Sequence, residues 1–292
     1  MPPDVSTLIF GCGYLGSRVA RRLLDRGEIV FAATRSSDRA RQLQRLGCRT
    51  VVADVTEPSS LTGLPQVDRV LYAIGYDRRS DRSIQEVYAG GLQAVLDAVP
   101  PGFEKLLYIS STGVYSQTGD AWIDEQSPCE PVREGGKAAL AAERVLQDHA
   151  SGLRGVILRL AGIYGPGRVP YLDKMRQGEP IPSPQRGFLN LIHVEDAASI
   201  VLAALDRATP PALFCVSDGQ PVKRGDYYRE AAKRIGAPQP RFATDPQTPA
   251  ASRASSSKRV SNRRLVEQLG VTLAFSSYRE GLAAILSAES SR

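Results

Sequence analysis

Histidine, cysteine, methionine and tryptophan are all scarce in this chain, with two, four, two and one copies among 292 residues, and their scarcity removes several kinds of chemistry. His149 and His193 stand far apart, and Cys12, Cys48, Cys129 and Cys215 show no Cys-x-x-Cys spacing. Neither a metal cluster nor a disulfide framework is therefore expected. No uncharged apolar stretch reaches the length of a membrane span. The opening Met-Pro-Pro-Asp-Val-Ser has no basic segment and no apolar core of a signal peptide, so the expectation is a soluble protein in the reducing cytoplasm. Charge is not gathered into one patch either. The formal net charge is +6, but Lys and Arg are spread along the chain, and pairs such as Arg21-Arg22, Arg78-Arg79 and Lys258-Arg259 read as solvated faces. Without a basic stripe interleaved with aromatics, a polynucleotide partner is not expected, and small anionic molecules fit better.

What the chain does have is a glycine turn in an informative place. Gly11-Cys12-Gly13-Tyr14-Leu15-Gly16 follows the apolar run Leu8-Ile9-Phe10 and precedes Leu15, Val19, Leu23 and Leu24 at helical spacing, with Gly27 where a helix ends. Strand, glycine turn and helix in that order make a dinucleotide-phosphate site: tight turn, close backbone approach and close helix packing each need a glycine. The helix N-terminus then offers free N–H groups to the anion. Beyond the turn, apolar runs near 7–11, 28–34, 50–53, 68–74, 105–111 and 155–160 alternate with helical patterns near 14–26, 37–46, 83–98 and 134–149. This alternation predicts an α/β fold with a doubly wound parallel sheet and its ligand crevice beyond the carboxyl ends of the strands. After Gly165-Pro166-Gly167 the pattern turns irregular. A strand and helix over 191–205, a strand at 212–216 and helices near 261–269 and 277–287 complete it, and the Pro-, Ala- and Ser-rich stretch 237–257 reads as a long loop able to cover a binding site. The expected division is a cofactor domain over 1–165 joined by 190–217, with 166–189 and 218–292 forming a smaller, discontinuous substrate-binding portion.

The end of the second strand reads Thr34-Arg35-Ser36. An acidic residue there would bind the adenosine ribose hydroxyls; a guanidinium with two hydroxyls suits a 2′-phosphate, so NADP is expected ahead of NAD. Asp54, followed by Val55, is placed to accept from the adenine amino group, and Ala73, Ile74 and Gly75 end the fourth strand against the cofactor. The turn itself contributes Gly11, Gly13, Tyr14, Leu15 and Gly16.

The fifth strand ends in hydroxyls, Ser110-Ser111-Thr112, ahead of Tyr115. With GCGYLG at 11–16, SSTGVY at 110–115, RLAGIYGPG at 159–167, NLIHVEDAA at 190–198, FCVSDGQPV at 214–222 and SKRVSNRRL at 257–265, the chain resembles the short-chain dehydrogenase/reductase superfamily. Its likeness is to the extended branch of NAD-dependent epimerases and dehydratases, on a Rossmann-type fold. The resemblance implies that Ser111 hydrogen-bonds the reacting oxygen, that Ser110 lies beside the cofactor, and that Leu160, Ala161 and Ile163 run along the nicotinamide. His193, Val194 and Asp196 match a block read as architectural. Pairing of two copies through the helices at 83–98 and 134–149 is also implied.

One element departs. The family's Tyr-x-x-x-Lys sets a phenol one helical turn from a lysine that holds the ribose and lowers the phenol's pKa. Here the segment is Arg133-Glu134-Gly135-Gly136-Lys137, and none of the eleven tyrosines has a lysine four positions on. Arginine stays protonated and cannot replace the phenol. The chain thus resembles the atypical members of the superfamily. Lys137 is retained as a cofactor or catalytic residue; Tyr115, Tyr164, Lys137 itself, or the carboxylates Asp120, Asp124, Glu125 and Glu130 stay open as proton donors. The expected function is NAD(P)-dependent epimerase, dehydratase or reductase chemistry on a small carbonyl or hydroxyl compound. A nucleotide sugar is one candidate, its diphosphate paired with some of Arg168, Arg186, Arg253, Lys258 and Arg259. The alternative is a cofactor-binding sensor or scaffold that turns nothing over.

Overall fold

Seven apolar segments pair into one parallel sheet whose strand order reverses once, and that reversal fixes where a ligand can enter. In the computed structural model, which describes residues 5–243 and 257–290, strands β1 (Ser6–Phe10), β2 (Ile29–Thr34), β3 (Arg49–Val52), β4 (Arg69–Tyr72), β5 (Lys105–Ser111), β7 (Gly155–Leu160) and β11 (Ala212–Val216) lie in the order β11-β7-β5-β4-β1-β2-β3. β1 is flanked by β2 on one side and β4 on the other, in register Phe10↔Ala33 and Phe10↔Tyr72. The crevice of a doubly wound sheet opens at such a switch point, beyond the carboxyl ends of the strands.

Helices α1 (Gly16–Asp25), α2 (Ser37–Arg45), α3 (Gly91–Ala98) and α4 (Glu134–Asp148) follow the strands as the alternation requires. α1 buries Val19, Ala20 and Leu23 on one face, which is the i, i+1, i+4 stripe of a helix lying on a sheet. The expected helix over 83–98 differs in kind: Glu86–Gly90 forms a π-helical turn that runs into α3. Gly91 explains the constraint. A Cβ there would stand 2.7 Å from both the Tyr72 hydroxyl and Val55, so the backbone lies close against the strand ends where the π-helical turn passes into α3.

The chain divides into two compact units, Met1–Val114 with Cys129–Arg159 and Ala198–Phe214, and Tyr115–Pro128 with Leu160–Ala197 and Cys215–Arg292. Residues 115–128 and 160–165 thus group with the second unit. The core of the first is the sheet face built on Leu8, Phe10, Val70, Leu106 and Ile157 under Leu92, Val95 and Leu146. The second unit is built from short pieces: β6 (Ala121–Ile123) pairs with β13 (Lys258–Val260), β8 (Gly162–Tyr164) with β10 (Leu191–His193), and β9 (Phe188–Leu189) with β12 (Val222–Lys223). The helices α5 (Leu172–Arg176), α7 (Arg224–Arg234), α8 (Arg263–Leu269) and α9 (Tyr278–Ser290) accompany them, while α6 (Val194–Arg207) passes from the second unit into the first. The second unit's core is aromatic, centred on Tyr164, Tyr227, Tyr228 and Tyr278. Most of the loop expected over 237–257 lies outside the described residues. Among them, no helix is long and apolar enough to cross a membrane.

Candidate functional site

The glycine turn sits at the switch point. Gly11 has φ +96°, and a Cβ on it would come 2.5 Å from the Ala73 carbonyl group; Gly16 would collide with the Gly11 oxygen at 2.3 Å. Those two glycines are demanded by the protein itself. Gly13 is not: its missing Cβ faces open space, with no described atom within 4 Å and no positive φ. Together with an α1 N-terminus that carries no side-chain cap and no acidic residue in its first turn, this leaves a cradle of N–H groups with room for a phosphate. The residues present fit a dinucleotide. Tyr14 packs under the Arg18 guanidinium, 4.3 Å from ring centroid to Cζ, and Leu15 is buried. Burial and the neighbouring Cys48 push the Cys12 thiol up to about 12, so it stays a neutral filler of the turn.

At the end of β2, Ser36 caps α2 by accepting the Arg39 N–H at 3.3 Å, and the Ser36 N–H reaches the Thr34 hydroxyl at 3.4 Å. Arg35 is exposed, with Nε 4.0 Å from Asp54. Arg39 turns back from the first turn of α2 and donates to the Cys12 carbonyl at 2.8 Å. Two guanidinium groups therefore flank this corner. Its signal lay in the helix: Arg39 is three residues past the cap, on the face that looks back at the turn. Asp54 spends Oδ1 on the Thr56 N–H and hydroxyl at 2.9 and 2.8 Å. Val55 is buried against Gly91, whereas Ala73 and Ile74 are half-buried and Gly75 is exposed.

Beyond β5, the Ser111 hydroxyl accepts the Gly113 N–H at 3.0 Å. A Cβ on Gly136 would lie 2.2 Å from the Gly113 oxygen. Gly136 thus lets the start of α4 seat on the Ser111 loop, with Lys137 the next residue. Lys137 is exposed and pairs with Glu134 at 3.0 Å. Ser110 points elsewhere. Its hydroxyl donates to Glu143, a buried carboxylate also held by Arg159 at 2.9 and 2.6 Å, a network the sequence reading missed.

Other expected residues lie in the second unit. Leu160 and Ala161 are buried and Ile163 is half-buried. The Tyr115 phenol is buried, donates to the Asp124 carbonyl at 2.8 Å and lies 3.3 Å from the Cys215 sulfur. Tyr164 packs edge-on against His193, with its hydroxyl 3.5 Å from the Ser277 carbonyl; burial, helped by Asp218, pushes this phenol up. Of the carboxylates considered as donors, three have other work: Asp120 accepts from Ser257, Asp124 from Gln126 and Ser127, and Glu125 from the Cys215 N–H at 2.7 Å, while Glu130 is exposed. Lys258 is likewise buried and donates to the Tyr115 carbonyl. The Arg259 guanidinium stacks between Trp122 and Phe188. Arg168 and Arg186 are exposed, and Arg253 lies outside the described residues.

A parallel sheet with one order reversal, an uncapped helix at that reversal and a glycine cradle open toward it define a dinucleotide-binding α/β protein. Comparison with known proteins narrows the class. The model of the NAD-dependent epimerase/dehydratase family matches residues 7–215, and the chain belongs to that family. Protein YeeZ of Escherichia coli K12 is 27% identical over 244 residues, covering 80% of this chain and 85% of YeeZ. A solved structure from Methylobacillus flagellatus, assigned as an NAD-dependent epimerase/dehydratase, is 31% identical with TM-score 0.80, covering 98% of this chain and 99% of that one. The UDP-glucose 4-epimerase of Thermotoga maritima, solved with UDP-glucose, shares the fold at TM-score 0.83 and 18% identity, covering 98% and 99%. The cofactor of this family is a nicotinamide nucleotide.

Proposed function

We propose that the chain is an NADP-dependent reductase or epimerase acting on a small carbonyl or hydroxyl compound with a non-standard proton donor. The observation that carries the reading is the open space at Gly13 beneath an uncapped helix N-terminus, a gap that protein packing does not require. Arg35 and Arg39 at the end of β2 favour the 2′-phosphate, since guanidinium groups bind phosphate through charge-assisted, two-point hydrogen bonds. Ser111 is assigned to polarise the substrate oxygen: its hydroxyl accepts a local N–H and donates to no described group. Lys137 is assigned to the nicotinamide ribose, exchanging Glu134 for it. When bound, the nicotinamide supplies the hydride chemistry; the protein orients it and manages one proton.

The substrate class extends to nucleotide sugars, because a distant fold relative was solved with UDP-glucose; Arg168 and Arg186 are the exposed candidates for its diphosphate. Four free cysteines suit the reducing cytoplasm. Pairing of two copies would use the outer faces of α3 and α4, where Ala94, Ala98, Ala141 and Val145 are only partly buried; sedimentation of the purified chain tests it.

Calorimetric titration with NADPH and NADH decides the cofactor. NADPH should bind more tightly, and Arg35→Ala should weaken NADPH about tenfold, roughly 1.4 kcal/mol, while leaving NADH unchanged. Equal losses for both, or no binding of either, would overturn the assignment. The second reading, a silent sensor, rests on Arg133 standing where the family has its phenol. It predicts tight NADPH binding with no oxidation by any member of a carbonyl panel.

A further inference from the structure

The described phenols are mostly spoken for. Those of Tyr72, Tyr76, Tyr108, Tyr115, Tyr164 and Tyr171 donate to backbone carbonyls. Tyr227 and Tyr278 are sealed in the aromatic core of the second unit. Tyr88 is different. It is half-buried in the first unit, and its hydroxyl accepts the Tyr76 N–H at 3.4 Å, while its own proton goes to no described group.

Its position is also specific. Tyr76 follows Ala73-Ile74-Gly75 out of β4, so the Tyr88 hydroxyl lies beyond the carboxyl end of the sheet, at the end where Gly11 meets Ala73. The π-helical turn that carries Tyr88 packs against α4. At the start of the same segment, Ile84 reaches the first turn of α4: a Cβ on Gly135 would stand 3.7 Å from it. Gly136 next to it seats on the Gly113 loop, and Ser111 lies 3.1 Å from the Cβ position of Gly113. One end of the first unit therefore gathers Ser111, the helix turn of Lys137 and the segment of Tyr88. π-helical turns within α-helices recur at functional sites.

We propose that Tyr88 is the proton donor that replaces the phenol absent at position 133. In the reductive direction the Tyr88 O–H bond breaks and its proton passes to the substrate oxygen, which Ser111 also holds; the resulting tyrosinate regains a proton from water. When bound, the reduced nicotinamide nucleotide would supply the hydride, and with it the electron pair, to the carbon. This inference rests on the cofactor assignment proposed above, and the two can fail separately.

Calorimetry with NADPH on the wild-type protein comes first, because absence of binding defeats the cofactor assignment before Tyr88 is touched. The variant Tyr88→Phe keeps the ring and its packing, so its melting temperature and NADPH affinity should match the wild type. With 4-nitrobenzaldehyde as probe, its kcat should fall by about a hundredfold, the usual scale for losing a general acid. Tyr115→Phe and Tyr164→Phe should not show that loss. Independently of turnover, tetranitromethane should nitrate Tyr88 in the free protein, and saturating NADP should protect it, as read by peptide mass spectrometry. Protection supports the placement whether or not the aldehyde is reduced. A Tyr88→Phe protein with wild-type kcat, or Tyr88 nitrated equally with and without NADP, overturns the proposal.

Discussion

Gly11, Gly13 and Gly16 are indistinguishable as letters, yet the structure gives them different masters. Gly11 and Gly16 serve the protein, because a Cβ would meet a carbonyl group at 2.5 Å on one and a carbonyl oxygen at 2.3 Å on the other, whereas Gly13 leaves space that none of the described residues fills. A methyl group therefore separates folding from binding. Gly11→Ala should cost about 1–3 kcal/mol, because both the overlap with Ala73 and the positive φ must relax. Gly13→Ala should melt like the wild type but bind NADPH at least about tenfold more weakly, by calorimetry. Normal affinity in a normally folded Gly13→Ala protein would detach the phosphates from this turn. The spacing of the three glycines was legible in the sequence; which of them the protein's own packing requires was not, because at Gly11 that depends on Ala73, more than fifty positions away. Arg39 was hidden similarly, since only the turn of α2 directs it to the Cys12 carbonyl.

Secondary elements follow the same division between local and distant causes. The strands and helices of the sheet were readable because each carries its own hydrophobic period over several residues. The pairings β6–β13, β8–β10 and β9–β12 were not, although β10 falls where a strand was expected, for strands of two or three residues are too short to show a period and are defined by their partners. The π-helical turn at Glu86–Gly90 runs into Gly91, where the backbone lies so close to Tyr72 and Val55 that no Cβ fits, a closeness no local pattern announces. α4 carries the most consequential unread feature. Glu143 ties this helix to the end of β5 through Ser110 and to β7 through Arg159, in a buried ion pair of 2.6 Å. Removing one partner strands the other's charge. Glu143→Ala should thus destabilise the protein by about 3–5 kcal/mol in chemical denaturation, whereas replacing both Glu143 and Arg159 with apolar residues of similar volume should cost much less. Equal losses in the single and double variants would show that packing, not charge, governs this joint.

Across the whole molecule, the formal charge of +6 says little about how stability varies with pH, since only groups whose environment changes on folding contribute. Asp68 is held low by hydrogen bonds from Ser6, near the surface of the first unit, and Glu28 is raised by burial against the opposing pull of Arg69 and Arg26. Asp218 in the second unit stands out. Its Oδ1 accepts the Gln220 N–H at 2.9 Å, its Oδ2 is buried without a partner among the described residues, and burial, reinforced by the charge of Asp196, pushes the carboxyl up to about 7. The unfolded chain returns it to about 4. The folded state therefore holds a proton that the unfolded state releases between those values. Its contribution is complete below about pH 4 and is lost as pH rises toward 7, at up to about 1.4 kcal/mol per pH unit. Asp218→Asn keeps the shape and the Gln220 contact while removing the titration. Its melting temperature should equal that of the wild type near pH 4 and exceed it by several degrees at pH 8, given about 2–4 °C per kcal/mol for a chain of this size. A difference that stays constant from pH 4 to pH 8 would mean that Asp218 ionises in the folded protein as it does in water, and that its buried oxygen is solvated after all.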